Sequence, residues 1–208
     1  MAAFSNDYYE IRPWTTVKDS NRNRLNRTLE GFRKRNQGTD TDFVNALTGA
    51  RAALADRSAQ LTADGSAEPC KAIVLFTDGQ YDIGVRDDSN RERLGNTKPY
   101  APGVTLDDEA GAKAAEEAGR AALCDEGGLA DGVRDDDITL LSVALTGTVT
   151  AKDQDLLAAV STGSSGSNPS AKSGPAESGR KGGAASPSAA ITSSAFSISA
   201  APCLISAL

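Results

Sequence analysis

Two runs in the chain are apolar almost without interruption, and both stop at turn residues. The first lies within "KAIVLFTDG", where Ala, Ile, Val, Leu and Phe at 72–76 give way to Thr77, Asp78 and Gly79. The second, "ITLLSVALTG" at 138–147, ends in another glycine. Short apolar runs bounded by turn residues fit central parallel strands buried on both faces. Elsewhere the period changes. "AAFS" and "YYEIRPW" read as two short strands around a polar turn at Asn6 and Asp7. Leu25, Leu29 and Phe32 recur at helical spacing in a segment capped by Asp19 or Ser20 and running to about residue 34. A second helix starts at Asp42, carries Val44, Leu47 and Leu54 on one face, and runs to about residue 56. The polar stretch 58–70, "SAQLTADGSAEPC", reads as a loop, and a long charged loop fills 80–105. "LDDEAGAKAAEEAGRAAL" is a helix whose early acids suit the helix dipole, and "KDQDLLAAVST" begins a further helix. The order β-β-α-α-β-α-β-α predicts an α/β fold: a doubly wound, mostly parallel sheet with helices on both faces.

After about residue 163 the chain becomes Ser, Ala, Gly and Pro with four charges. Nothing in this tail before Ile191 can build a core face, so 163–208 is expected to be disordered or loosely attached to a domain at 1–162.

Composition narrows the function. A chain of 208 residues holds one ordinary domain and a tail. A net charge of −6 with both signs mixed argues against nucleic acid as the main partner. No apolar run approaches the ~20 residues of a membrane span, and the start lacks the basic end and apolar core of a signal peptide. There is no histidine, which excludes His-based zinc sites and His-dependent triads. Cys70, Cys124 and Cys203 are too scattered for a zinc cluster. A Cys70–Cys124 disulfide and a pair of buried free thiols are both open readings. No G-x-x-x-x-G-K-[ST] phosphate cradle is present and no G-x-G-x-x-G follows a strand, so Mg²⁺-dependent phosphoryl transfer and nucleotide binding are disfavoured. Asp78 stands at the tip of a central strand, where open α/β sheets bind their ligands. It either meets a metal or phosphate there, or caps the following turn.

Three pieces in order, "TDTDFVNALTGARAAL", "KAIVLFTDG" and "ITLLSVALTG", resemble the von Willebrand factor type A domain. "AAFS" followed by "YEIRPW" is similar to that family's strand hairpin, and the resemblance spans roughly 2–162. It implies a protein-binding module rather than an enzyme, with a metal-ion-dependent adhesion site. In that site an Asp-x-Ser-x-Ser motif, a loop Thr and a strand-end Asp hold one Mg²⁺, and an acidic side chain of a protein partner completes the shell. The matching metal ligands are Thr41, with Thr39 the competing choice, and Asp78. Mg²⁺ favours hard oxygen ligands in octahedral geometry and keeps several waters, which suits a hydroxyl and a carboxylate. The Asp-x-Ser-x-Ser motif has no counterpart; "DGSAE" at 64–68 is a near miss in a helix-to-strand loop. The site is therefore expected to be incomplete, in a domain truncated at its front and altered at its back. A tail read out of frame, or a metal-free structural remnant, is the alternative expectation. Intact relatives are often secreted or surface-anchored, a setting that a Cys70–Cys124 bridge would fit.

Overall fold

The computed structural model describes residues 1–32, 40–77, 80–144 and 150–162, together with the backbone of 203–207. Its core is built around one helix, α2 (Phe43–Ala63), whose residues Phe43, Val44, Ala46, Leu47, Ala50 and Leu54 are all buried. These recur every three to four positions, so they form one stripe, and alanines keep neighbouring elements close. Asp42 caps the helix by accepting from Asn45 N at 3.1 Å. The helix runs beyond the expected end near residue 56, into the stretch that reads as a loop. Residues 57–63 hold no breaker, and the helix stops at Asp64 and Gly65, where φ turns positive at 81°.

Strands β1 (Ala2–Phe4) and β2 (Tyr8–Glu10) pair antiparallel, as the sequence suggests, and form their own two-stranded sheet against α2. Gly49 permits that approach, because a Cβ there would collide with the Tyr8 side chain. A 3₁₀ turn at Asp19–Asn21 leads into α1 (Arg22–Phe32). None of the α1 residues is buried, and Leu29 is 55% exposed. Its apolar stripe is thus present in sequence but does not enter the core.

Strands β3 (Cys70–Thr77) and β4 (Ile138–Ala144) lie parallel, with Ile73 opposite Leu140 and Phe76 opposite Val143. Between them come a single helical turn, α3 (Arg91–Leu94), then α4 (Glu109–Cys124) and α5 (Leu129–Asp135). The short α5 has no counterpart in the sequence reading. After β4 comes α6 (Ala151–Val160), capped by Thr150. A fifth strand, β5 (Cys203–Ala207), pairs parallel with β3 on its other side, giving the order β4-β3-β5. The last residues of the tail therefore join the sheet instead of lying loose; residues 163–202 are outside the described residues.

The fold is mixed helix and strand, with a small parallel sheet. One face of it, carrying Ile73, Leu75, Ile138 and Leu140, is buried with α2, α4, α5 and α6 in a single apolar cluster. Each such side chain contributes about 1.5–3 kcal/mol by leaving water. The other face departs from the expectation of double burial: Phe76 is 44%, Leu141 43% and Val143 37% exposed. Among the described residues helices cover one face only. Cys70 is disulfide-bonded and Cys124 is a free, exposed thiol, so neither a Cys70–Cys124 bridge nor a pair of buried free thiols forms. The backbone of Cys203 lies opposite Cys70 in the sheet register. Among the described residues no helix is long and apolar enough to cross a membrane.

Candidate functional site

Thr41 lies in the loop just before α2, and backbone hydrogen bonds tie this loop to the segment after β3 and to the β1–β2 turn. The Thr41 amide donates to Asp82 O at 2.8 Å, forming an isolated antiparallel bridge five residues past Thr77. Asp42 N donates to Ser5 O at 3.0 Å, and Ala46 N closes the first helical turn on Asp42 O. The Thr41 loop is thereby fixed between the β1–β2 turn and the segment that leaves β3. Asp78 and Thr39 lie outside the described residues. "DGSAE" sits at the opposite, amino end of β3, where Glu68 pairs with Lys71 at 3.5 Å.

The acids on either side of Thr41 point inward. Asp40 and Asp42 have fully buried side chains, and each meets a buried cation. Arg86 grips Asp40 with two nitrogens, at 2.9 and 2.6 Å, and also donates to Gly84 O and Gly95 O. Lys98 lies between the two acids, 2.7 Å from Asp40 and 2.8 Å from Asp42. Among the described residues two carboxylates meet two cations, and a bidentate Arg–carboxylate pair is the strong form of such contacts. Burial alone would raise the Asp40 carboxyl, but the hydrogen bonds from Arg86 and Lys98 outweigh it and hold it below its ordinary value.

A chain of hydroxyls extends the cluster outward. Tyr100 donates to Asp42 at 2.9 Å, and Tyr81 donates to Tyr100 at 3.2 Å. Burial and the Asp42 charge push both phenols well above the ordinary tyrosine range, so both stay protonated donors. Arg120 stacks over the Tyr81 ring at 5.4 Å and pairs with Asp153 at 2.7 Å, tying α4 to α6. Gly119 lets the ring lie flat on α4, since a Cβ there would strike the Tyr81 hydroxyl. Compared with known proteins, the chain matches no family model, no curated protein and no solved structure.

Facing solvent beside Thr41 is a second acidic pair. Ile83 N donates to Glu116 at 3.2 Å, and the Glu116 carboxyl is raised by burial and by its neighbour Asp82. Chemically the edge offers hydroxyls and carboxylates but no activated nucleophile among the described residues. The two acids that flank Thr41 in sequence, Asp40 and Asp42, pair with Arg86 and Lys98. No group of three or more Asp, Glu or Cys side chains is placed to hold a metal among the described residues. Sequence reasoning did not find Asp40, Arg86, Lys98, Tyr81 or Tyr100. The sole hint was "TDTD" ahead of an apolar helix, which marks a cap and gives no sign of a buried ionic cluster.

Proposed function

We propose that the chain is a protein-binding module of the von Willebrand factor type A kind, with an incomplete metal site, in a sheet that the family would wind on both faces. It meets its ligand at the carboxyl edge without needing Mg²⁺. The observation that carries this reading is the Thr41 loop, hydrogen-bonded to Asp82 directly beyond the central parallel strand. A loop held rigidly there presents a defined surface, and such edges are where α/β sheets receive ligands. The inward pairing of Asp40 and Asp42 favours the metal-independent form, because it engages both acids that flank Thr41 with cations. Binding is favoured over catalysis, since the edge arranges no nucleophile with a base among the described residues.

A peptide display library selected on the full chain tests this. Binders should survive chelation by EDTA and be lost on Thr41→Arg or Asp82→Arg, with the far-UV spectrum unchanged. Binders indifferent to both substitutions would remove the carboxyl edge from the proposal. Binding that requires Mg²⁺ would show the metal site to be complete.

A further inference from the structure

Basic charge is not spread evenly along this chain. Eight of its 22 lysines and arginines but only two of its 28 acids lie between residues 12 and 35, so that segment carries +6 and the rest −12. Within it, α1 presents Arg22, Arg24 and Arg27 to solvent, and Arg33, Lys34 and Arg35 follow in the sequence. Arg22 pairs with Asp19 at 2.7 Å, but both side chains are largely exposed, so the pair holds the guanidinium only weakly.

The same element carries the most exposed large apolar side chains among the described residues. Val17, in the loop ahead of it, is 79% exposed, and Leu29, on the helix, 55%. At about 100° per residue, Leu25, Leu29 and Phe32 fall within roughly 60° of arc, with Arg22 and Arg24 on either side of them. In α2 such a stripe is buried, whereas α1 buries none of its residues. Arg12 moors the helix, donating from Nε to Thr28 Oγ1 at 2.8 Å, at the end of the β1–β2 hairpin that also carries Met1. The Thr41 loop is tied to the other end of that hairpin, through Ser5.

An apolar stripe flanked by arginines, on a helix of low overall hydropathy, is the make-up of helices that lie in the headgroup plane of a bilayer. Arginine stems can follow the acyl boundary while their guanidiniums reach lipid phosphates. We propose that α1 docks the molecule onto an anionic lipid surface, with Leu29 entering the acyl boundary and Arg22 and Arg24 meeting headgroups. Nucleic acids and acidic proteins also attract arginines, but a sugar–phosphate backbone or a run of carboxylates gives Val17 and Leu29 nowhere to leave water. The acidic remainder of the chain is repelled by the same surface, which confines the contact to this element. Because the helix and the Thr41 loop hold opposite ends of one hairpin, docking need not cover the loop.

Flotation of the full chain with vesicles tests this. The vesicles are two thirds phosphatidylcholine and one third phosphatidylserine, or phosphatidylcholine alone. The chain should float with the mixed vesicles at low salt, fall away as salt rises, and ignore phosphatidylcholine alone. One basic side chain near such a surface strengthens binding about fivefold, so Arg22→Glu with Arg24→Glu should weaken it roughly 25-fold or more. The charge-neutral change Leu29→Ser should weaken it several-fold, which a purely electrostatic contact would not show. These side chains are exposed, and far-UV spectra check that the variants fold. The comparison of the two vesicle types needs no variant, so it decides even if one unfolds. No flotation, equal flotation with both vesicles, or indifference to Leu29→Ser in a folded variant would overturn the proposal. So would retention on duplex DNA or polyglutamate without vesicle binding, which would assign the helix to a different polyanion.

Discussion

Replacing Asp40 by Asn tests whether the buried ionic cluster holds the carboxyl edge together. The substitution keeps volume but removes the carboxylate that faces Arg86, whose side chain has no solvent exposure. Lys98 retains Asp42, whereas Arg86 loses the carboxylate that it grips with two nitrogens. Removing one member of a buried pair costs about 3–5 kcal/mol, chiefly because the surviving charge stays desolvated. For a domain of this size that corresponds to a fall in Tm of roughly 6–20 °C. The Arg51–Asp136 pair is a built-in comparison. Its side chains are 36% and 37% exposed, and Asp136→Asn should cost below about 1 kcal/mol. Urea unfolding at pH 7 measures both. A double variant, Asp40→Asn with Arg86→Met, should lose less than the sum of the two single changes, since no orphan charge remains. The acid limb adds a sign. Asp40 has a depressed pKa in the folded state, so its contribution is whole above the unfolded value of 3.8 and fades as pH falls through the lower, folded one. The gap between parent and Asp40→Asn should therefore hold from pH 7 to about pH 4 and narrow only below it. A loss under ~1 kcal/mol at pH 7, no larger than that of the exposed pair, would refute the reasoning.

Glu116→Gln should stabilise the protein at pH 7 and do nothing at pH 4 in thermal melts, because a raised carboxyl pKa means stability lost as pH rises above the unfolded value of 4.5. Gly119→Ala should destabilise by about 1–2 kcal/mol in urea titrations: overpacking against buried Tyr81 outweighs the gain in helix propensity of under ~1 kcal/mol. Calorimetry should detect no tight Mg²⁺ binding to the full chain, and Asp78→Ala should leave its Tm nearly unchanged; tight binding abolished by that substitution would show a complete site.

The elements that the sequence disclosed are those whose signal is local. The hairpin, the paired runs at 71–77 and 138–144, and the start of α2 at Asp42 each declare themselves within a dozen residues. The end of α2 was misplaced because polar residues at 57–63 suggest a loop, although nothing among them breaks a helix before Gly65. The ionic cluster was illegible for a different reason. Its partners are 46, 56 and 58 residues apart, and no local pattern tells Lys98 in a charged loop that it will be buried. The bare face of the sheet was hidden because an uninterrupted apolar run reads the same whether one face or both are covered by described helices. The role of 203–207 was masked by composition, since five modestly apolar residues after a long polar tract carry little weight against the tract itself.

The position of β5 sets a timetable for the birth of the molecule. Each β3 residue that pairs with β5 finds its neighbour 133 positions later. At ribosomal speeds of about 5–20 residues per second, β3 waits roughly 7–27 s with one backbone edge unmet. During that interval the edge is a template for any other strand, including another nascent copy. Fast synthesis, or a holdase that shields "KAIVLFT" until β5 has emerged, should raise the yield of correctly paired protein, whereas ribosome stalling within the Ser- and Gly-rich tract should favour aggregates.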